Sequence, residues 1–498
     1  MSVSGSTKET AALDIGSRLE LLVDDHLIDS LEGSRLKLHH PVPQEVALQF
    51  DAPCEGPSSA FVTVMKDGDR YRMYYRGSGQ GIKEPWFTIP HHYSCYAESE
   101  DGITWTKPSL GLFEHQGSRD NNIIWPGYPF SLPLMAFKDE NPDAPPEERY
   151  KAVAGGPLIA HASPDGIHWK RMQEEPIIRQ YEKCESEPDY DAVAYWDAER
   201  GQYVAYIRGW RSSRSIRTQG EESVKLEEFD MVLDPIGESP KERLPGYRQL
   251  LRCTSPDFLH WTEPQFVDFG DTPLEHFYTS VTTPYFRAPH ITLAFPKRYV
   301  PERKKIKEHL QSGVSDGVFM SSRDGVNFDR RFMEAFIRPG LDTCNWTERN
   351  LMTAWGVVPT GAEEISLYYG EHFRYPTCRL RRATLRTDGF VSVHADYAGG
   401  EFVTKPLMFA GAELTLNYST SAVGSVTVEI QDAQGHPLPG YTLDDCEEIY
   451  GDEIEHAVQW RRGRDLTRLA RQGIRLRFVL KDADLYSIRF LPLKYTDV

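Results

Sequence analysis

No apolar run in this chain approaches the roughly 20 residues that a membrane-spanning helix needs, which excludes a helical span. Positive charge is in deficit: 56 Lys and Arg stand against 74 Asp and Glu, a formal net charge of −18. A surface of that sign repels nucleic acid and anionic membranes, so neither is expected as a partner. Cysteine is scarce as well. The seven residues Cys54, Cys95, Cys184, Cys253, Cys344, Cys378 and Cys446 are scattered without a Cys-x-x-Cys pair. That argues against a disulfide framework or structural zinc and for buried free thiols. The opening 13 residues lack the basic start and apolar stretch of a secretory leader, and the expected compartment is the cytoplasm.

What the 498 residues do contain is aromatics and turn formers: 25 Tyr, 23 Phe, 10 Trp, 38 Gly and 34 Pro. That mixture favours strands and tight turns over helices. One short motif recurs. Ser99-Glu-Asp-Gly-Ile-Thr-Trp105 is repeated as Ser163-Pro-Asp-Gly-Ile-His-Trp169, Ser255-Pro-Asp-Phe-Leu-His-Trp261 and Ser322-Arg-Asp-Gly-Val-Asn-Phe328, with a degenerate fifth copy at Thr387-Asp-Gly-Phe390. Successive copies lie 64, 92, 67 and 64 residues apart, and the long interval holds a charged, Gly- and Pro-containing insertion at 211–248. Asp can accept from nearby amides, Gly tolerates positive φ, and the aromatic anchors the next strand.

Before each motif the pattern predicts a hairpin: 60–65 with 71–76, 134–138 with 150–154, 192–196 with 203–208, 280–286 with 290–295, and 351–358 with 364–369. Hairpin, third strand, turn and fourth strand, five times over, predict an all-β fold, a five-bladed β-propeller over 45–390. From 391 to 498 apolar and polar residues alternate without the motif, which predicts a C-terminal β-sandwich. Residues 1–44 carry strands expected to brace one or the other.

In such a fold the starts of first strands and the ends of second strands converge on one central funnel. The candidates there include Glu55, Asp191, Glu275, His276, Tyr278, Glu348, Arg349 and Asn350, then Arg76, Arg208, Lys297, Arg298 and His372. Paired carboxyl groups in a funnel suit glycoside hydrolysis, one protonating the leaving oxygen and the other attacking or activating water. Trp86, Trp125, Tyr128, Trp210 and Trp346 are candidate rim aromatics. The basic residues, set in an acidic molecule, point to an anionic saccharide or to inorganic phosphate.

The Ser-x-Asp-Gly-x-x-Trp turns and the segment Asp191-Ala-Val-Ala-Tyr-Trp-Asp-Ala-Glu-Arg-Gly-Gln-Tyr-Val resemble the five-bladed propeller glycoside hydrolases of families 32, 43, 68, 117 and 130. The Trp-Met-Asn-Asp-Pro-Asn-Gly signature of family 32 is absent. The resemblance implies three acids at inner strand starts. Asp191 matches the middle-blade aspartate, Glu55 stands where a first-blade acid belongs, and Glu275 stands where a later general acid lies, with Glu348 as competitor. Arg76, Arg208, His276, Tyr278, Arg298, Arg349, Asn350 and His372 are the expected substrate-binding groups. The expected activity is a glycosidase on an oligosaccharide. An intracellular phosphorylase and a non-catalytic carbohydrate-binding propeller are the alternatives. No cofactor is required, although carboxylates around an axis could hold Ca²⁺. The 211–248 insertion is expected to be a lid or a subunit contact, which leaves a homo-oligomer open.

Overall fold

The computed structural model describes residues 12–78, 92–127, 132–155, 157–178, 189–212, 246–309 and 311–493. The structure is all-β, and its helical content among the described residues is four single 3₁₀ turns. No helix there is long and apolar enough to cross a membrane. The chain divides into two compact units, Pro41–Thr384 and a second made of Met1–His40 with Leu385–Val498.

Unit Pro41–Thr384 consists of small antiparallel sheets in chain order. The first pairs Ala60–Asp67, Arg70–Gly77, Tyr93–Ser99 and Ile123–Trp125. The second pairs Leu132–Lys138, Tyr150–Gly155, Leu158–Ser163 and Lys170–Arg171. The third pairs Asp189–Asp197, Gln202–Ser212, Gly246–Ser255 and Gln265–Phe266. A fourth group is split into two three-stranded pieces. One holds Thr282–Tyr285, Ala288–Ala294 and Met320–Ser322; the other holds His276–Phe277, Lys297–Val300 and Val314–Gly317. The fifth takes Val358–Pro359, Glu364–Glu371 and Arg379–Arg386 and is completed by Val42–Gln49 from the start of the unit. Of the last predicted hairpin, the first arm is mostly irregular. Leu351 and Gly356 adopt φ of 55° and 111°, and only its end pairs as a strand.

The four full copies of the motif make one turn. In the second copy Asp165 Oδ1 accepts from the amides of Ile167 at 2.9 Å and His168 at 2.8 Å, Ser163 Oγ accepts from Gly166 at 2.9 Å, and Trp169 Nε1 donates to Gly166 O at 3.0 Å. Asp101, Asp257 and Asp324 repeat the carboxylate contacts. The motif's Gly positions need left-handed backbone, φ 73° at Gly102 and 78° at Gly166. Phe258 holds the same place at φ 70°, its ring fully buried against Phe137, Tyr203 and Trp261. Each turn also packs on the sheet before it. Arg72 of the first sheet donates to Asp165 O at 2.7 Å, Phe137 of the second meets Phe258, and Tyr206 of the third donates to Gly325 O at 2.7 Å. Tyr368 of the fifth sheet donates to Gly102 O in the first turn.

The other unit is a single hydrogen-bonded network of ten strands. Its spine is Glu413–Asp432 paired antiparallel with Ile474–Leu491 along nearly their whole length. The far edge of Ile474–Leu491 takes Leu407–Phe409, Gly400–Thr404, Val391–Ala395 and Glu20–Leu21 in turn. Trp460, Phe402 and Phe478 lie in its core. The degenerate motif copy belongs here and makes a different contact. Asp388 is buried and accepts from Ser487 Oγ at 3.1 Å and Asn417 Nδ2 at 3.2 Å instead of bracing a turn.

Candidate functional site

Basic side chains from separate sheets of unit Pro41–Thr384 gather around one aromatic ring. Arg76 ends the second strand of the first sheet, Arg208 and Arg248 sit on the third, Lys297 opens a strand of the fourth group, and Arg349 lies in the loop leading to the fifth. The ring is Tyr278. Lys297 Nζ stands 3.8 Å from its centroid, and the guanidinium carbons of Arg208, Arg248 and Arg349 stand 4.2, 5.5 and 5.5 Å away. The π face attracts cations, so a tyrosine can seat charges that would otherwise repel one another. Arg208 also donates to Tyr278 O, and Lys297 O accepts from Tyr278 N at 2.7 Å, which holds the ring in place.

Lys297 is fully buried, and its ammonium has no hydrogen-bond partner among the described residues. Burial pushes its pKa well below the ordinary lysine value, Arg349, Arg208 and Arg248 push it further, and Glu348 opposes them. Arg76 is also buried; its guanidinium lies 4.7 Å over the Phe61 ring and donates to Ser58 O at 2.6 Å. Burial, with Arg349 and Arg374 beside it, lowers Arg76 to about 9.

Glu348 acts on this cluster, and Asp191 is bonded to a residue beside Tyr278 in the chain. Asp191 lies where the register slips between Asp189 and Ala192, a bulge that re-aims its side chain. It is buried and accepts from Ser280 N and, at 2.9 Å, from Ser280 Oγ, two residues along from Tyr278. Glu348 is buried between His309 Nε2 at 2.5 Å and Arg374 Nε at 3.0 Å. Burial alone would raise its pKa, but His309, Arg374 and Arg349 outweigh that and hold it below the ordinary carboxylate value. Arg349 takes φ 64° in a loop pinned by Asn350. The Asn350 amide donates to Cys344 O at 3.0 Å and Thr347 Oγ1 at 2.7 Å and accepts from Phe373 N at 2.8 Å. Asn350 therefore positions Arg349, with its own polar atoms engaged by the fold.

The other sequence candidates are held elsewhere. Glu55 is fully buried and accepts from Ala52 N at 2.9 Å, Lys107 Nζ at 2.7 Å and the Tyr75 hydroxyl. Glu275 pairs with Arg298 at 2.8 Å and Arg330 at 3.2 Å, and Arg298 also holds Asp316 at 2.6 Å. Glu275 lines a separate polar cleft of about 430 Å³ with Arg211, Gln249, Asp268 and Asp271. Among the described residues, Glu55 and Glu275 share no hydrogen-bond or ion-pair partner. His276 accepts from Arg248 N at 3.2 Å and leans on Tyr247; burial and Arg248 lower it to about 4, so it is neutral. His372, at φ 59°, lies between Thr377 Oγ1 and Asp342 Oδ2, 2.8 Å from each. Asp342, Cys344 and His372 offer three donor atoms within 4.8 Å of one another, a set able to approach a metal ion, though Arg379 stands 3.5 Å from Asp342. Of the rim aromatics, Trp210 carries Arg248 5.0 Å over its ring, Trp125 meets the His161 ring at 4.9 Å, and Trp346 lines a cavity of about 390 Å³ with Arg303 and Arg338. Trp86, Tyr128 and nearly all of the 211–248 insertion lie outside the described residues.

Sequence reasoning did not single out Arg248, Arg374, His309 or Ser280. Arg248 had a signal: it opens an apolar stretch, Leu250-Leu251, directly after the charged insertion, as the first turn of a returning strand would. Arg374 and His309 lie outside the named strands, and no periodicity marks them.

No family model and no curated protein matches the chain. Solved structures do match, among them several glycoside hydrolases and an N-acetylgalactosamine deacetylase. One described as a glycoside hydrolase has 12% identity and a TM-score of 0.43 over 69% of this chain and 92% of its own. A family 43 arabinoxylan arabinofuranohydrolase from Bacillus subtilis, in complex with cellotetraose, has 11% identity and a TM-score of 0.40 over 89% and 97%. A member of the family 130 mannoside phosphorylases, a group containing hydrolases that target β-1,2 mannosidic linkages in Candida mannan, has 13% identity and a TM-score of 0.39 over 74% and 96%. At such distances no residue's role carries over from them.

Proposed function

We propose that unit Pro41–Thr384 is a five-bladed β-propeller acting as a glycoside hydrolase on an oligosaccharide, with the other unit a β-sandwich. The ring is supported by the turns: each packs on the preceding sheet, and the Tyr368 hydroxyl on Gly102 O joins the fifth sheet to the first turn. Val42–Gln49, completing the fifth sheet, joins the start of the unit to its end.

The observation that carries the activity is that Glu348, in the loop before the fifth sheet, acts on Lys297 and Arg349 of the Tyr278 cluster, while Asp191 of the third sheet is bonded to Ser280, two residues along from Tyr278. Asp191, fixed by two donors on Ser280, suits the carboxylate that attacks the anomeric carbon or activates water. Glu348 lies 2.5 Å from His309 Nε2, and in this reading the pair is assigned to deliver the proton to the leaving oxygen. Glu55 and Glu275 serve the fold in this reading.

The test is hydrolysis of an oligosaccharide panel by Asp191→Asn and Glu348→Gln. Each is expected to lose about 10²–10⁴ in kcat/KM with saccharide binding retained. Full activity in both variants would overturn the reading. Cleavage that requires phosphate and releases a sugar 1-phosphate would replace it with the phosphorylase, and binding without turnover in the wild type would leave a carbohydrate-binding propeller.

A further inference from the structure

We infer that Asp342, Cys344 and His372 form a site for a divalent metal ion of the zinc class, which fastens the loop before the fifth sheet to the turn that follows Glu364–Glu371. The inference goes beyond the glycosidase reading and does not rest on it.

The donors come from two segments of unit Pro41–Thr384. Asp342 and Cys344 flank Thr343, and Asp342 Oδ1 accepts from Cys344 N at 3.0 Å. His372 follows the strand Glu364–Glu371. One donor atom from each of the three lies within 4.8 Å of the others, and His372 Nε2 stands 2.8 Å from Asp342 Oδ2. Ligands of a tetrahedral zinc ion stand about 3.3–3.6 Å apart, given bonds of about 2.0 Å to oxygen and nitrogen and about 2.3 Å to sulfur. Asp342 is exposed and Cys344 half-buried, so both can rotate to that spacing about the buried imidazole.

The imidazole is held ready for such an ion. His372 keeps φ 59°, a left-handed backbone costly for a residue with a Cβ, and its N–H donates to Asn345 Oδ1 at 3.3 Å in the other segment. Nδ1 lies 2.8 Å from Thr377 Oγ1, which leaves Nε2 as the nitrogen facing Asp342. Metal-bound histidines are oriented in the same way, by a partner on the other ring nitrogen.

Charge and donor type set the class of ion. The Asp342 carboxylate and a Cys344 thiolate neutralise a divalent cation with His372 neutral, and the thiol proton leaves to solvent on binding. Arg379 lies 3.5 Å from Asp342, and Glu371 holds it at 2.7 Å. Ca²⁺ and Mg²⁺ take oxygen ligands, whereas zinc accepts sulfur, nitrogen and oxygen together. Three protein donors leave a fourth position for water. The two segments also carry Glu348 and Arg374, which pair at 3.0 Å, so an ion joining them would steady that pair.

The experiment is titration of the full chain, first stripped with a chelator, with Zn²⁺ and with Co²⁺. One equivalent of zinc is expected to bind and to raise the melting temperature. The cobalt complex is expected to show the near-ultraviolet charge-transfer band of a thiolate ligand. Cys344→Ser is expected to lose that band and ten-fold or more in zinc affinity, while its melting temperature without metal matches the wild type. Thr377→Val keeps all three donors and is expected to keep the band and to weaken zinc binding about ten-fold. Absence of zinc binding, a cobalt complex without the thiolate band, a band that survives in Cys344→Ser, or equal zinc affinity in that variant would each overturn the site. Uptake of Ca²⁺ in preference to zinc would do the same. None of these readouts involves hydrolysis, so a failure of the glycosidase reading would leave the site standing.

Discussion

Two charge clusters in the same unit, each with a buried cation, are built on different terms. Around Glu275, the cations have carboxylates: Arg298 holds Glu275 and Asp316, and the buried Arg330 pairs with Glu275, although its Nη1 has no hydrogen-bond partner among the described residues. Around Tyr278, the buried Lys297 ammonium has no hydrogen-bond partner among the described residues. Burying a charge is costly unless it is paired. The ion pairs around Glu275 offset part of that cost, and the Lys297 ammonium has the face of the Tyr278 ring. Glu55 is matched as Glu275 is, with three donors to its carboxylate.

The sharpest way to break this contrast is to remove a partner from a closed network. Lys107→Met would leave Glu55 buried with its charge uncompensated, and the expected cost is about 3–5 kcal/mol in denaturant unfolding. Glycosidase activity per folded molecule should stay near wild type. A loss of activity without a loss of stability would move Glu55 into the reacting site and end the distinction.

How far the sequence goes follows from the same residues. The Asp turns were legible because everything they need lies within seven positions, and the observed contacts of Asp101, Asp165, Asp257 and Asp324 agree with that reading. The fifth copy shows the limit: Asp388 has the local pattern, yet its partners Asn417 and Ser487 are distant in sequence, and they decide its role. Strand ends brought Arg76, Arg208 and Lys297 to notice for a sound reason, since pairing alternation fixes which end of a sheet a residue occupies. Which carboxylates are already spoken for was not legible. Glu55 meets Lys107 across 52 residues and Glu275 meets Arg330 across 55, and neither separation belongs to a local period.

A smaller effect sharpens the open cluster. Lys297 is depressed in the folded protein, so between its folded value and the ordinary lysine value near 10.4 the unfolded chain binds more protons. Stability must then rise with pH through that window, by up to about 1.4 kcal/mol per unit for one proton. Lys297→Met removes the slope, and the difference between the two proteins isolates it from every other titrating group. At neutral pH the variant is expected to be more stable by about 1–4 kcal/mol, as when buried charge gives way to an apolar side chain. Parallel pH curves for the two proteins would mean that Lys297 is charged and matched in solution, and the two clusters would no longer differ.

The smallest effect lies in the turns. Asp165→Ala deletes the acceptor for the Ile167 and His168 amides and the partner of the His168 ring at 2.7 Å. The carboxylate is half exposed, so water replaces part of what is lost, and about 1 kcal/mol is expected. Burial raises its pKa, but the His168 and Ile167 contacts more than offset this and bring it to about 2. A depressed carboxyl group stabilises the fold above its unfolded pKa, near 3.9, and that contribution fades as pH falls toward about 2. Asp388→Ala makes the counterpart in the other unit. It strips a buried acceptor from Asn417 and Ser487, where no water replaces it, and should cost more than the turn does. Equal costs would show that local turn geometry, rather than burial of the partners, sets what these aspartates contribute.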